Sequence, residues 1–358
     1  MGRYLLLDIG AGTLDMLCYD TDHDLHYKAV VRSPVRVLAD EIRQTGGNLL
    51  VTGCEMGGGP VSQALIDRAK TADVLMSKPS AATIHHDMQR VAAHGIRLVD
   101  EAEAEGLKDD SRFYHIRTGD IQPDRLQQLV RGFGVPFEFD AVAICAQDHG
   151  LAPSGVSHLD FRHQRFAAAL AHHPVPQTLL YRSDQVPAEM NRLSAIAKVA
   201  KSLPTHRVYV MDSGMAAILG ASMDVLAANQ KRILVLDIAT SHTVGAAMED
   251  GMLCGFFEYH TTDITAARLD QLLKDLADGK LSHRQILDQG GHGAYVRKSL
   301  GFDGVELILV TGPRRRLALE SKLPITFGAP WGDNMMTGTV GLMEAVRRRE
   351  EMSPIRYL

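Results

Sequence analysis

The residues best suited to chemistry lie in one short stretch near the N-terminus. Asp8 follows the apolar run Leu5–Leu7 and precedes the turn Gly10-Ala11-Gly12-Thr13. Glycines let backbone N–H groups approach phosphate oxygens without a Cβ in the way, and Thr13 adds a hydroxyl donor. An aspartate beside such a turn can hold Mg²⁺ directly or through water. A lone Gly-x-Gly turn is also common in ordinary hairpins, so this stretch alone leaves a phosphate site and a plain hairpin equally open.

The same pattern occurs a second time, at Leu234–Gly245. Leu-x-Leu-Asp-Ile is found in both copies, and Asp237 of the second copy is followed by Ala239, Thr240, Ser241 and His242. Two such hairpins facing each other across a cleft would clamp a polyphosphate, with Asp8 and Asp237 near its metal ion. Duplication at this spacing indicates an ancient two-lobed fold.

Five blocks of sequence resemble the ATP-binding superfamily of actin, the sugar kinases and the heat-shock chaperones. In the superfamily's order they are the first phosphate motif Asp8–Asp15, the connecting helix Ser213–Gly220, the second phosphate motif Asp237–Thr243, the adenosine motif Val310–Arg316 and the closing helix Gly338–Ala345. The resemblance implies an α/β, two-lobed, ribonuclease-H-like (actin-like ATPase) fold with an interlobe nucleotide cleft. Lobe I is expected to comprise residues 1–228, completed by the C-terminal helix 332–358, and lobe II residues 229–331.

The resemblance also implies ATP and Mg²⁺ as cofactors. Asp8 and Asp237 would be the metal ligands. The nucleotide would contact Gly10, Ala11, Gly12, Thr13, Thr240, Ser241, His242, Gly312 and Arg314. Ala239 and Pro313 stand where the superfamily has glycines, so nucleotide binding is expected to be weaker, reshaped or lost.

Within the superfamily, the chain looks most like the FGGY-type carbohydrate kinases. Ala143–Gly150 resembles their sugar-facing strand, and Phe256–His260 resembles a segment after their second phosphate loop. The resemblance implies an ATP-dependent phosphotransferase acting on a small hydroxyl-bearing substrate, polyol or sugar-like. Its catalytic residues would be Asp8, Asp148, His149 and Asp212. Asp212 lies one residue before the register of the family's general base, so the base stays open between Asp148 and Asp212.

Two other functions stay open. One is an ATPase switch that activates a protein partner, and the other is a nucleotide-free relative that binds another ligand in the cleft. The chain also resembles a small family labelled as related to pyruvate formate-lyase activating enzyme. That label implies radical chemistry, which the scattered Cys18, Cys54, Cys145 and Cys254 do not support, because iron–sulfur sites need clustered cysteines.

Composition argues against several other classes of protein. The chain has 358 residues, 45% of them hydrophobic and 23% charged, with a net charge of −5. This balance gives no general attraction to nucleic acid or to an anionic membrane. No stretch predicts a membrane span or a signal peptide, so a cytoplasmic protein is expected.

Three further segments carry weaker signals. The glycine-rich loop Cys54–Pro60 could bind an anion from the second substrate or could be a tight turn. Ser80–Ala93 predicts a helix whose His85 and His86 are solvated, and residues 161–204 predict an insertion of little functional content. His149, His242, His260 and His292 could line the cleft and bind a transition metal, although a lone histidine more often only forms hydrogen bonds.

Overall fold

The structure is a computed structural model, and it describes residues 2–153 and 155–357. The strands are β1 (Arg3–Ile9), β2 (Thr13–Asp20), β3 (Leu25–Arg32), β4 (Asn48–Gly53), β5 (Val74–Ser77), β6 (Arg97–Val99), β7 (Phe113–Thr118), β8 (Phe139–Ala146), β9 (Leu180–Arg182), β10 (Thr205–Asp212), β11 (Arg232–Ile238), β12 (His242–Glu249), β13 (Met252–His260), β14 (Gly293–Val296), β15 (Leu307–Thr311) and β16 (Ile325–Phe327).

The α-helices alternate with these strands. They are α1 (Pro34–Gln44), α2 (Pro60–Ala69), α3 (Lys78–Ala81), α4 (Met88–Ala92), α5 (Glu101–Gly106), α6 (Pro123–Gly132), α7 (His158–His172), α8 (Asn191–Ala200), α9 (Ser213–Ser222), α10 (Ala266–Ala277), α11 (His283–Asp288) and α12 (Thr337–Arg349). None of these helices combines the length and the apolarity that a membrane crossing requires.

Two of the sheets repeat one topology. The first sheet, within predicted lobe I, has the order β3-β2-β1-β8-β10-β9, and the second, within predicted lobe II, has the order β14-β13-β12-β11-β15-β16. In each, an antiparallel three-stranded meander is followed by strands parallel to its first strand. Asp8 and Asp237 are both the penultimate residue of that first strand. This duplicated topology confirms the predicted two-lobed ribonuclease-H-like fold.

Strand β1, which carries Asp8, and its neighbour β8 are buried on both faces. Leu5–Leu7 in β1 and Val142–Ala146 in β8 are completely inaccessible, as expected for central strands that helices cover on both sides. The same apolar core continues through α9 and α12 to Val235 and Phe256 of the second sheet. The two lobes are therefore held together by shared apolar packing around these helices.

Helices α9 and α12 cross with their backbones in contact. A Cβ on Gly220 would lie 1.8 Å from the carbonyl oxygen of Thr337, and a Cβ on Gly341 would lie 1.8 Å from that of Ala216. Only glycine permits so close an approach. Helix α9 connects β10 of the first sheet to β11 of the second, and α12 follows β16, the last strand of the second sheet.

A third sheet is inserted between β3 and β8. Its strands, in the order β6-β5-β4-β7, are all parallel. Here the predicted helix Ser80–Ala93 is wrong, because α3 ends at Ala81 and α4 begins only at Met88. The Asp87 carboxylate caps α4 by accepting from the N–H of Gln89, a local bond that competes with a continuous helix. The break releases His86 from helical geometry.

Candidate active site

A cavity of about 630 Å³ is lined by residues of both lobes and of the inserted sheet. The turn Gly10-Ala11-Gly12-Thr13 and the turn Ala239-Thr240-Ser241-His242 both line it, together with Asp8 and Asp237. The two turns touch each other, because a Cβ on Gly12 would lie 2.9 Å from Cγ2 of Thr240. The predicted pair of facing hairpins therefore bounds one shared space.

Three carboxyl groups face this space, of which Asp15 and Asp237 are buried and Asp8 is partly buried. Burial raises the pKa of Asp8 to about 6, of Asp237 to about 7, and of Asp15 to about 8. One oxygen of Asp15, Oδ1, has no hydrogen-bond partner among the described residues. Asp15 belongs to the first phosphate motif, but its residue type and position did not by themselves indicate a separate role. A divalent cation would balance the negative charge of these carboxylates.

The cavity holds little positive charge of its own. Among the described residues that line it, the one lysine or arginine is Arg192. The guanidinium of Arg192 donates to both oxygens of Asp120 at 2.8 and 2.9 Å and to the carbonyl of Gln147 at 2.8 Å. A polyphosphate bound beside Asp8 and Asp237 would therefore need a metal ion to offset the repulsion between negative charges. The donor set fits Mg²⁺, which favours one or two carboxylates together with water and phosphate oxygens.

The backbone reaches both predicted metal ligands closely. A Cβ on Gly338 in α12 would lie 2.0 Å from Oδ2 of Asp8, and a Cβ on Gly312 would lie 2.7 Å from Oδ1 of Asp237. Gly312 also has φ +91°, which favours glycine. Thr311 Oγ1 donates to Asp237 Oδ1 at 3.0 Å. Each aspartate is thus held against a glycine of another element.

Hydrogen bonds fix the second turn from behind. The N–H of Ala239 donates to the carbonyl of His242 at 3.1 Å, and Thr261 Oγ1 donates to the carbonyl of Ala239 at 2.8 Å. Ser241 Oγ lies 3.0 Å from His242 Nδ1. The turn therefore closes with alanine at the position where the superfamily has glycine.

The predicted adenosine residues lie at the rim of the cavity or outside it. Pro313 and Asn334 line the cavity, whereas Gly312 and Arg314 do not. The side-chain amide of Asn334 donates to the carbonyl of Gly312 at 3.0 Å. Arg314 is exposed, and its backbone N–H donates to the carbonyl of Ile238 at 2.9 Å. The structure thus joins the adenosine-type loop to the end of β11 through backbone bonds.

At the predicted acceptor corner, Asp148 and His149 both line the cavity just after β8. The Asp148 carboxylate accepts from the N–H of Gly150 at 2.8 Å and from the N–H of Leu193 at 2.9 Å. Burial raises the pKa of Asp148. Burial, with a further contribution from Arg162, lowers the pKa of His149 to about 3. The His149 imidazole is therefore neutral at physiological pH, so it donates a hydrogen bond at one ring nitrogen and accepts one at the other.

Asp212 does not line this cavity. Its carboxylate caps α9 by accepting from the N–H groups of Gly214 and Met215 at 2.9 and 3.3 Å. Its other oxygen accepts from Nη2 of Arg162 at 2.8 Å. Burial raises the pKa of Asp212, and the Arg162 charge opposes that rise.

Arg162 is a residue that the sequence pattern did not single out. Its second guanidinium nitrogen donates to Glu258 Oε2 at 2.5 Å, and Gln147 Nε2 donates to Glu258 Oε1. Burial by itself would raise the pKa of Glu258, but the Arg162 charge holds it at about 2. Region 161–204, expected to carry little function, therefore supplies the charge that links Asp212 to the second sheet.

Residues that follow strands of the inserted sheet also line the cavity. Glu55 lies in the glycine-rich loop after β4, and its Oε1 is 3.0 Å from Nε2 of His86. Asn191 Nδ2 donates to the second oxygen of Glu55. The hydrogen bond that His86 donates to the Glu55 carboxylate raises the pKa of His86, and this side chain is half-buried rather than solvated. The glycine-rich loop Cys54–Pro60 indicated a candidate site in the sequence. The sequence pattern did not indicate that His86 and Asn191 would join Glu55 there.

Three of the four flagged histidines converge. Ligand nitrogens of His242, His260 and His292 all lie within 4.8 Å of one another. The ring centroid of His149 is 6.2 Å from that of His292. Burial lowers the pKa of His242 to about 4 and also lowers that of His292. This trio is the one group of three or more potential metal ligands found in residues 2–153 and 155–357.

The cysteines are dispersed through the fold. Cys18, Cys145 and Cys254 are buried in β2, β8 and β13, and Cys54 follows β4. All four are free thiols in the described structure. Their placement does not fit an iron–sulfur cluster, which needs several cysteine sulfurs around one centre.

Comparisons with solved structures give weak similarities over nearly the whole chain. A ROK hexokinase from Thermus thermophilus has 11% identity and a TM-score of 0.33, covering 98% of this chain and 99% of that one. A Bacteroides thetaiotaomicron protein with actin-like ATPase fold and unknown function has 7% identity and a TM-score of 0.36, covering 96% and 95%. The activator of 2-hydroxyisocaproyl-CoA dehydratase from Clostridium difficile, with bound ADPNP, has 9% identity and a TM-score of 0.32, covering 99% of both. At these values the likeness transfers no activity to this chain.

None of the curated proteins matches the chain. One family does match it, over residues 56–317, which is well over half of the sequence. The matched span begins just after Glu55. It contains the glycines Gly57–Gly59, the turn Ala239–His242 and the three converging histidines. The predicted relation to a family labelled after pyruvate formate-lyase activating enzyme is confirmed. The chain belongs to the family described as "Putative pyruvate format-lyase activating enzyme (DUF1786)".

Proposed function

We propose that this protein is an ATP-dependent phosphotransferase that acts on a small hydroxyl-bearing substrate. The observation that supports this function is that two chemically different groups of residues line one cavity. We name Asp8, Asp237 and the two turns the donor end, and Glu55 and His86 the acceptor end. A transferase needs a donor site and an acceptor site that open into the same space.

The donor end is suited to Mg-ATP. Asp8 and Asp237 would hold Mg²⁺, and backbone N–H groups of the turns at Gly10–Thr13 and Thr240–His242 would face the phosphates. Bound Mg²⁺ supplies positive charge that offsets the charge of the transferring phosphoryl group. Gly312 and Arg314 do not line the cavity, so they would contact the nucleoside where it extends beyond the cavity rim. Catalysis of this kind needs mainly positioning and charge neutralisation.

The acceptor end supplies polar groups for a hydroxyl-rich molecule. Glu55, His86 and Asn191 form a hydrogen-bonded group at the cavity wall, and His149 adds a neutral imidazole. Asp148 is retained as the general base, since its carboxylate has lone pairs beyond the two that accept backbone N–H groups. Asp212 is not retained, because it lies outside the cavity and is paired with Arg162.

A second function, an ATPase switch that acts on a protein partner, is favoured by one observation. Both oxygens of Asp148 already accept backbone hydrogen bonds. If those bonds persist during turnover, the carboxylate is a poor base for an acceptor hydroxyl. Hydrolysis without an acceptor would then be the main reaction.

Calorimetric titration of Mg-ATP into the purified protein tests the donor end. We expect saturable binding to the wild type and a loss of at least tenfold in affinity for Asp8→Asn. The exposed Asp22→Asn is the matched control and should bind as the wild type does. Absence of binding to the wild type would contradict both ATP-dependent functions and leave the nucleotide-free relative.

Product formation separates the two functions. Release of ADP would be followed with and without a panel of sugars and polyols, for the wild type and for Glu55→Gln. A phosphotransferase predicts turnover that depends on one class of acceptor and falls in Glu55→Gln while Mg-ATP affinity is unchanged. Slow turnover that no acceptor stimulates would favour the switch. Glu103→Gln, at an exposed surface position, is the control.

A further inference from the structure

Three histidines of the second sheet meet at one end of adjacent strands. His242 begins β12 and His260 ends β13, and the two are directly opposite each other in the antiparallel register. Opposite residues of an antiparallel pair point to the same face of a sheet. His292 joins them from the loop before β14, where its N–H donates to the carbonyl of Glu258 at 2.8 Å. Strand pairing thus positions all three side chains.

The rings are close without being stacked face to face. Ring centroids are 4.2 Å apart for His260 and His292, 4.8 Å for His242 and His260, and 4.9 Å for His242 and His292. The His292 ring stands nearly perpendicular to the other two, at 84° and 85°. Their ligand nitrogens lie within 4.8 Å of one another. Nitrogens of a tetrahedral zinc site are about 3.4 Å apart, which side-chain rotation could supply.

Two nitrogens of this group are buried without a hydrogen-bond partner in the part of the chain that the structure describes. They are Nε2 of His242 and Nδ1 of His292. His292 is only 9% exposed, and its ring follows two glycines that place it against the sheet. Buried polar atoms without partners are rare and call for an explanation such as a bound ion.

The neighbouring groups favour metal coordination over a simple hydrogen-bond network. Ser241 Oγ lies 3.0 Å from Nδ1 of His242, so a second residue orients that ring and leaves Nε2 available, as metal-binding histidines require. His242 lines the main cavity, while His260 and His292 line a second cavity of about 450 Å³. An ion held by the trio would lie between the two cavities.

We propose that His242, His260 and His292 bind one divalent transition-metal ion, with Zn²⁺ as the preferred ion. Imidazole ligands suit zinc, copper, iron and nickel. Three histidines with an open fourth position are the ligand set of catalytic rather than structural zinc sites. The fourth position would be available to water or to an oxygen or nitrogen ligand from either cavity. This site shares no residue with the Asp8 and Asp237 pair, although His242 also belongs to the second turn of the main cavity.

The test uses full-length protein without a polyhistidine tag. Zn²⁺ affinity would be measured by competition with a fluorescent chelator, and Co²⁺ would be added separately to record its visible absorption. We expect one equivalent of Zn²⁺ per chain and the intense Co²⁺ bands of a four-coordinate site. His260→Ala should weaken Zn²⁺ binding about 100-fold, and the exposed His94→Ala should leave it unchanged.

His260 is exposed, so its replacement removes a ligand without opening the core. Zn²⁺ should raise the Tm of the wild type and leave the Tm of His260→Ala unchanged, which tests the site independently of affinity. The proposal is overturned if the wild type binds no Zn²⁺ at micromolar concentration, or if His260→Ala binds it as tightly as the wild type. Mg-ATP titration of the same variant reports on the nucleotide site separately.

Discussion

Arg162 Nη1 in α7 lies 2.5 Å from Glu258 Oε2 in β13, and both side chains are more than nine-tenths buried. The other side of the same guanidinium contacts Asp212 at 2.8 Å. One arginine thus joins the connecting helix α9 to the second sheet beside the cavity wall. Removing a single partner of a buried ion pair leaves an uncompensated charge in a poorly solvated place.

Glu258→Gln should therefore destabilise the protein by about 3 kcal/mol, the lower part of the range for broken buried pairs, because Asp212 still neutralises Arg162. The free energy of unfolding in urea measures the effect. Glu103→Gln removes a partner from the exposed pair with Arg97 and should cost less than about 1 kcal/mol. Equal losses in the two variants would show that the pair between the lobes contributes no more than a surface pair.

Gly220→Ala should be among the most damaging small substitutions. Its Cβ would lie 1.8 Å from the Thr337 carbonyl oxygen, which belongs to backbone and cannot rotate away. We expect a loss of about 3 kcal/mol in the free energy of unfolding as α9 and α12 separate. Gly132→Ala, in a helix where a Cβ meets nothing within 4 Å, should be neutral or stabilising. A wild-type urea midpoint for Gly220→Ala would contradict the close crossing.

Gly338→Ala should affect binding more than stability. The new Cβ would lie 2.0 Å from Oδ2 of Asp8 and must displace that carboxylate. Alanine also favours the helix by about 1 kcal/mol, which helps the variant to fold. Calorimetry should show Mg-ATP affinity reduced at least tenfold. Gly106→Ala, at an open helical position, should bind as the wild type does.

The contribution of the Asp237 carboxyl group to the stability of the metal-free protein should fall as pH rises from about 4 to 7. Burial raises the pKa of Asp237 from 3.8 to about 7. Between these values the folded state keeps a proton that the unfolded state has released, so the folded state is favoured less at each higher pH. Below pH 4 the carboxyl group is protonated in both states, and its contribution is constant.

The side chain introduced in the variant Asp237→Asn does not titrate. Between pH 5 and pH 8, the free energy of unfolding of this variant should therefore fall by about 3 kcal/mol less than that of the wild type. Urea unfolding in the presence of EDTA at the two pH values measures the difference. Asp22→Asn, at an exposed position, should keep the wild-type pH dependence. Parallel pH profiles for the wild type and Asp237→Asn would show that Asp237 ionises normally in the fold.

The hairpins could be predicted because their information is local. The apolar run before Asp8, the glycine turn and the next apolar run define β1, β2 and the aspartate between them within 18 residues (Arg3–Asp20). The repeat around Asp237 then indicated the second lobe. Buried runs such as Ala141–Ala146 were recognisable for the same reason, since a central strand must be apolar on both faces.

The polar groups around the cavity could not be predicted, because their partners are distant in sequence. Arg162 meets Glu258 across 96 residues, and Glu55 meets Asn191 across 136. Nothing local distinguishes Arg162 from the other charged residues of α7. The break between α3 and α4 was missed because the whole stretch has helical composition, while the Asp87 cap depends on one side-chain bond.

The histidines lie between these cases. Their residue type and their place after buried strands were visible in the sequence. That His242 faces His260 follows from the pairing of β12 with β13, which includes a register shift between Ala247 and Met248. A register shift of one residue moves side chains to the opposite face. The pairing therefore had to be seen before convergence could be inferred.

The crossing of α9 and α12 is a rigid contact about which the two lobes could pivot. Because backbone meets backbone at Gly220 and Gly341, no side chain is interposed that could yield when the lobes rotate. The N-terminal end of α12 also lies close to the Asp8 carboxylate at Gly338. If α12 tilts when the cleft opens, the Asp8 carboxylate would have to move with it. The backbone contact at Gly338 would then couple movement of α12 to the donor end.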